Sequence, residues 1–354
     1  MKKALITGIT GQDGSYLAEW LLDKGYEVHG LVRMLGGIRR TEDRLPRIRA
    51  ILPRLRIHYG DIVNYATVLE LIRHVQPDEC YHLASQSQVH YSFKAPFETF
   101  ATNIDGTHYL LSAIRQFAPQ CRFYFAASSE MFGQANSLVQ NESTPFNPRS
   151  PYAISKVTGF HLTTYYRETF GLFACSGILY NHESPRRGYE FVTQKIVRSA
   201  IRIKQGAENL IALGNLETQR DWGYAAEYMR VIWRILQQDK PEDFVIGSGK
   251  THSISDFVEL AFDYVGLRFE LVNLQGLSLE AADRELRRLQ GRKAGVFVVQ
   301  HPRFLRPVDI YVLCADISKA RRQLQWSPQT HVPQLVRIMV EEAETSRNAE
   351  AIRS

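Results

Sequence analysis

Along the first half of this chain, short apolar runs alternate with longer amphipathic stretches. Residues 3–7, 27–32, 56–60, 78–83, 122–127 and 172–179 are brief runs built around apolar and aromatic residues, and each reads as a strand. The gaps carry apolar residues at helical spacing, as in Tyr16-Leu17-Ala18-Glu19-Trp20-Leu21-Leu22 and from Thr107 to Phe117. This alternation predicts an α/β fold built on a doubly wound parallel sheet. Beyond about residue 180 the pattern loses its regularity. Phe244-Val245-Ile246 is expected to return to the sheet, while other late segments build a smaller, mixed α/β C-terminal domain capping its carboxyl edge. The charge-rich stretch from Glu280 to Gly295 predicts an exposed helix and loop.

Composition narrows the class. With 354 residues, 44% of them hydrophobic, the chain can bury one large core and a smaller one. Cys80, Cys121, Cys175 and Cys314 are widely spaced with no CxxC pair, so buried free thiols in a reducing compartment are expected, and no metal site. No apolar run approaches the roughly 20 residues that cross a bilayer, which points to a cytoplasmic protein without a membrane partner. The net charge of +6 is dispersed. Arg39-Arg40, Arg186-Arg187 and Arg287-Arg288 form no continuous stripe interleaved with aromatics, so phosphorylated small molecules are expected rather than nucleic acid.

The first strand runs into Gly8-Ile9-Thr10-Gly11-Gln12-Asp13-Gly14, which opens the first helix. Glycines in that context allow backbone N–H groups to approach a pyrophosphate at a helix N-terminus, the arrangement of a Rossmann dinucleotide site. About 20 residues on, where an acidic side chain would meet the ribose of NAD, the chain offers Arg33, which favours the 2′-phosphate of NADP. Asp61 and Ile62 follow the third strand toward the adenine. Leu83-Ala84-Ser85-Gln86-Ser87 follows the fourth and is expected to run along the cofactor. On this basis residues 1–183 form an NADP-binding domain, to which segments near 215–250 and 308–318 return, and 184–214, 251–307 and 319–354 form a substrate-binding cap.

Candidate chemistry lies between. Tyr152 and Lys156 share a helix face, where a cationic Lys lowers the phenol pKa so that Tyr can take a proton from a sugar hydroxyl as hydride leaves for a nicotinamide. Upstream, Ala127-Ser128-Ser129-Glu130 adds a hydroxyl and a carboxylate. Glu130 is a second base suited to a C–H proton, which hydride transfer alone does not require.

With these motifs in hand, the chain resembles the extended short-chain dehydrogenases/reductases and, within them, the GDP-mannose 4,6-dehydratase family. The most specific segments are Gly8–Gly14, Asn181-His-Glu-Ser-Pro-Arg-Arg-Gly188 with Phe191-Val-Thr-Gln-Lys195, and Leu213-Gly-Asn-Leu-Glu-Thr-Gln-Arg-Asp-Trp-Gly223. The resemblance implies NADP as cofactor, GDP-mannose as substrate and assembly into a homodimer or homotetramer. It assigns Asn181, Lys195 and Arg220 to the nucleotide sugar, together with Ser87 and Asn215, and His182 and Arg187 to NADP. Arg306-Pro307-Val308-Asp309 resembles an Arg-Pro-x-Glu element that holds the nucleoside. Four departures stand out. Ser128 replaces the family Thr, Met34 an Arg, and Asp309 a Glu, and residues 272–299 match poorly. These leave open a dehydratase or epimerase of a related sugar such as a GDP-heptose, and a non-catalytic NADP-sensing protein.

Overall fold

The computed structural model describes residues 1–33, 45–135, 137–292, 294–305 and 310–351. Met34, Arg306 and Asp309 lie outside them. The chain divides into two compact units. The first comprises Met1–His182, Ala225–Gly247 and Ala315–Ser327, and the second Glu183–Tyr224, Ser248–Cys314 and Pro328–Ser354.

The first unit is built on strands β1 (Lys3–Thr7), β2 (Glu27–Val32), β3 (Arg56–Tyr59), β4 (Glu79–His82), β5 (Arg122–Ser128) and β6 (Ala174–Leu179). The late strand Phe244–Ile246 pairs in parallel with β6, giving a seven-stranded sheet in which β5, β4, β1, β2 and β3 follow in space. Every pairing is parallel, so the doubly wound fold expected from the alternation is the one observed. Winding reverses between β1 and β4, where Thr7 lies opposite His82. Ligands of such sheets bind at that reversal, beyond the carboxyl ends of the strands. Leu5, Ile6, Val28, Tyr81, Phe123 and Tyr124 are fully buried, as strands covered on both faces require. Cys80, Cys121 and Cys175 are buried free thiols in this unit, and Cys314, in the second, is partly exposed. No helix among the described residues is long and apolar enough to cross a membrane.

The helix Pro151–Phe170 starts at Ser150, whose side chain accepts from the Ala153 N–H at 3.1 Å, with Pro151 in its first turn. Its buried face, including Tyr152, Lys156, Gly159 and Thr163, follows helical spacing. Gly159 permits the close contact with β5, since a Cβ there would lie 2.3 Å from the Phe125 ring. The returning segments are tied in by Asp243. Its carboxylate takes a two-pronged bond from Arg167 (3.0 and 2.8 Å) and the Ser176 N–H (2.7 Å), while Lys319 donates to its carbonyl at 2.8 Å.

The second unit holds a parallel sheet in which Phe297–Gln300 lies between Glu270–Asn273 and Leu210–Leu213. The strand Gln219–Tyr224 pairs with Thr251–Ser253 and Val312–Leu313. Its core joins Ile196, Val197, Trp222, Phe257, Phe262, Val298 and Val336. Leu279–Gln290 is a helix, as the charge-rich stretch predicted.

Besides Glu183 and residues 248–250 at the boundaries, which go to the second unit, three longer segments fall on the other side of the expected division. Residues 215–224 belong to the second unit, because Trp222 packs on Phe257 in its core. Residues 310–314 join them through the pairing of Val312–Leu313 with Gln219–Arg220. Residues 319–327 belong to the first unit, where Lys319 binds Asp243 and Trp326 meets Tyr228 edge-on.

Candidate active site

The glycine loop leaves β1 at the sheet reversal. Gly8 has φ +74, and a Cβ there would lie 2.8 Å from the Ala84 nitrogen. A Cβ at Gly14 would lie 2.3 Å from the Gly8 oxygen and 2.5 Å from the Ile9 Cα. Both positions therefore demand glycine, which brings the start of the helix Gln12–Asp23 close against the loop. That helix opens on Gly11 without a side-chain cap. A bare helix start beside a loop kept open by Gly8, Gly11 and Gly14 fits the pyrophosphate of a dinucleotide. Thr7 aligns the neighbouring loop, its hydroxyl accepting from the Ala84 N–H at 3.1 Å and its carbonyl from the Leu83 N–H at 3.2 Å.

The other expected cofactor positions gather at the same sheet edge. Arg33 follows β2 and is exposed. Asp61 follows β3 and accepts from the Val63 N–H at 3.2 Å. Ile62 is buried with its side chain facing Gly106, where an added Cβ would lie 2.9 Å away, so any contact it makes to a nucleotide falls to its backbone. Leu83–Ser87 leaves β4 beside Gly8, with Ser87 exposed.

Ser128 ends β5 and caps the single helical turn Ser129–Met131, its Oγ accepting from the Glu130 N–H at 3.3 Å. That turn sets Glu130, half-buried, at the carboxyl edge of the sheet. Tyr152 and Lys156 are only 9% and 5% exposed. The Lys156 ammonium donates to the Ala126 carbonyl at 2.8 Å and lies 5.7 Å from the centre of the Tyr152 ring. Burial pushes its pKa down to about 7, against a smaller opposing pull from Asp13. An anion brought close would favour the protonated form. The structure thus gathers a hydroxyl, a carboxylate, a phenol and an amine where β5 and the helix Pro151–Phe170 pack together.

His182 is held against the first turn of the glycine-loop helix. Its Nε2 is 2.9 Å from the Asp13 carboxylate and its Nδ1 2.7 Å from the Tyr180 carbonyl. Both nitrogens lie within hydrogen-bonding distance of an oxygen, which fixes the ring between the glycine-loop helix and the end of the sheet. Asn181, the residue before it, is half-buried.

In the second unit, Lys195 donates to the Ala212 carbonyl and lies 3.9 Å from the Phe304 ring centre, and burial lowers its pKa. Gly214 makes room for this arrangement, since a Cβ there would lie 2.5 Å from the Phe304 oxygen. Arg220 is buried and donates to the carbonyls of Gln219 and Ile310 at 2.8 and 2.7 Å. Arg187 pairs with Glu183 at 3.1 Å and stacks on Phe191. Asn215 accepts from the Glu217 N–H.

Asn103 and His82 were not anticipated from the sequence. Asn103 sits in a π-helical turn, Ala101–Asp105, and its amide bonds Ser85, Gln86 and Ser155. A lone Asn inside a helical pattern and a His inside a strand give no local sign of such partners.

This is the architecture of the extended short-chain dehydrogenases/reductases. The structure matches UDP-glucose 4-epimerase of Thermotoga maritima with a TM-score of 0.78 at 21% identity, covering 98% of this chain and 99% of that one. A sequence model of the family described as GDP-mannose 4,6 dehydratase matches residues 5–339, and the chain belongs to that family. It is 42% identical over 348 residues to GDP-mannose 4,6-dehydratase of Yersinia enterocolitica, covering 96% of this chain and 93% of that protein. It is 44% identical over 350 residues to GDP-mannose 4,6 dehydratase 2 of Caenorhabditis elegans, covering 96% and 88%.

Proposed function

We propose that this protein converts GDP-mannose to GDP-4-keto-6-deoxymannose with NADP as a returning cofactor. The observation that carries this reading is Glu130, set by the turn after β5 beside Ser128 and the Tyr152–Lys156 helix. Simple oxidation of a sugar alcohol leaves a second base idle, whereas elimination needs one.

When bound, NADP would supply a hydride acceptor for C4 of the hexose and a hydride donor for C6. Tyr152 takes the proton of the C4 hydroxyl, with Lys156 stabilising the phenolate and Ser128 orienting that hydroxyl. The resulting 4-ketone acidifies C5–H, so that Glu130 removes this proton and then protonates the departing C6 hydroxyl, which leaves as water; as C6 is reduced, C5 takes a proton from solvent, which balances the one Tyr152 took from the C4 hydroxyl and passes on. The net change is loss of one water from the hexose.

Gly8, Thr10, Gly11, Gln12, Asp13 and Gly14 would hold the pyrophosphate, Arg33 the 2′-phosphate, and Asp61, Ile62 and Leu83–Ser87 the rest of the cofactor, with His182 and Arg187. Lys195 and Arg220 supply the charge a nucleotide diphosphate requires, and a guanidinium can meet two oxygens at once. Asn181, Asn215 and Ser87 would bind the sugar nucleotide, with Arg306 and Asp309 at its nucleoside. Assembly as a cytoplasmic homodimer or homotetramer belongs to the same proposal.

Incubation with GDP-mannose and NADP in deuterated water, followed by NMR of the product, tests this reading. Deuterium at C5 with a methyl group at C6 is expected. Unchanged GDP-mannose overturns it.

A further inference from the structure

His82 is fully buried at the carboxyl end of β4, and the chemistry above gives it no task. Its Nδ1 is 2.8 Å from the Thr7 hydroxyl and its Nε2 is 3.0 Å from that of Thr107. The Thr107 hydroxyl donates its one proton to the Asn103 carbonyl at 2.6 Å, so toward His82 it can only accept. Nε2 therefore carries the ring proton, and Nδ1 accepts from Thr7, whose oxygen receives the Ala84 N–H. The chain of donors runs in one direction from Ala84 to Asn103. Burial, aided by the nearby Lys156, pushes the imidazole pKa down to about 3, so the ring stays neutral.

Asn103 distributes the constraint. Its Oδ1 accepts from the Gln86 N–H (2.8 Å) and the Ser85 hydroxyl (3.1 Å), and its Nδ2 donates to the Gln86 carbonyl (3.2 Å) and Ser155 Oγ (2.9 Å). Ser155 in turn donates to the Tyr152 carbonyl at 2.7 Å.

We propose that His82 is a positioning residue. It acts as a spacer of fixed tautomer between Thr7, at the foot of the glycine loop, and the π-helical turn carrying Asn103, and so keeps the Ser85–Gln86 loop and the Tyr152 helix in register with the dinucleotide loop. This rests on the reading of Gly8–Gly14 as the cofactor loop and of Tyr152 and Lys156 as the reacting pair.

The test compares His82→Gln, which keeps an amide donor for Thr107, with His82→Leu, which removes both links. Kinetics with GDP-mannose, NADP affinity and imidazole nitrogen NMR of the parent provide the readouts. Leaving two buried partners unpaired should lower kcat and weaken NADP binding by roughly tenfold or more in His82→Leu, with KM for GDP-mannose changed less than about twofold. His82→Gln should recover most of both losses. The parent ring should show a proton on Nε2 and none on Nδ1 at every pH where the protein is folded. Equal kcat in the two variants, parental kcat and NADP affinity in His82→Leu, or a proton on Nδ1 overturns the proposal. If His82→Leu does not fold, Thr107→Val, which cuts only the link to Asn103, takes its place with the same expectations. Should the dehydratase reading itself fail, NADP affinity and the ring tautomer still decide the spacer.

Discussion

At the scale of single residues, the site combines positions legible from spacing with others visible only in three dimensions. Tyr152 and Lys156 sit one helical turn apart and Glu130 two residues beyond Ser128, so their chemistry could be read locally. Asn103 and His82 could not, because their partners lie on other elements brought together by the sheet. Glu130→Gln should lower kcat by about 10²–10⁴-fold, the usual worth of a general base, while leaving KM within a few-fold. Rates of 4-keto-6-deoxy product release check this, and near-parental turnover would remove Glu130 from the mechanism. Lys156 offers a second test. Between the ordinary lysine pKa and about 7, the unfolded chain holds a proton that the folded one lacks, so falling pH favours unfolding until the penalty is complete below about 7. Without NADP, Lys156→Met should therefore gain stability relative to the parent as pH falls through that window, with the gap flat at lower pH. Thermal unfolding across pH measures it, and a gap that never changes would contradict the buried, depressed amine.

At the scale of elements, β1 and β2 follow the apolar runs closely because they are buried on both faces, whereas β3, at the sheet edge, is partly exposed. β1 and β2 match the predicted residues 3–7 and 27–32. The π-helical turn at Ala101–Asp105 was hidden, since nothing in Ala-Thr-Asn-Ile-Asp departs from helical spacing and its bonds are tertiary. Capping has a functional side here. Ser150 fixes the first turn of the helix two residues before Tyr152. Ser150→Ala should cost about 1 kcal/mol of stability by loss of the cap. It should also lower kcat, because the fraying turn is the one bearing the phenol; chemical denaturation and steady-state rates together test it. At the glycine loop, Gly14→Ala places a Cβ 2.3 Å from the Gly8 oxygen. The variant should lose NADP binding by calorimetry, and unaltered affinity would refute the tight loop.

At the scale of the whole molecule, the fold class was evident in the alternation of the first half, whereas the unit boundaries were not. Pairing partners far along the chain decide them. Trp222 and Lys319 declare their units only through Phe257 and Asp243. The coenzyme preference of the intact enzyme is a test at this scale. Arg33→Ala should shift discrimination from NADP toward NAD, seen as a fall in the ratio of the two affinities, and an unchanged ratio would move 2′-phosphate recognition elsewhere.

The thiols carry one further consequence. Burial pushes the pKa of Cys175 up to about 12 and that of Cys80 higher still. Cys121 is raised in the same way, so in the native first unit these three are both sealed from reagents and chemically quiet. Each becomes reactive only when the sheet around it opens. The first unit therefore contains its own clock: in an alkylating reagent, the rate at which Cys80, Cys121 and Cys175 are modified measures how often that unit unfolds, and a bound dinucleotide should slow it.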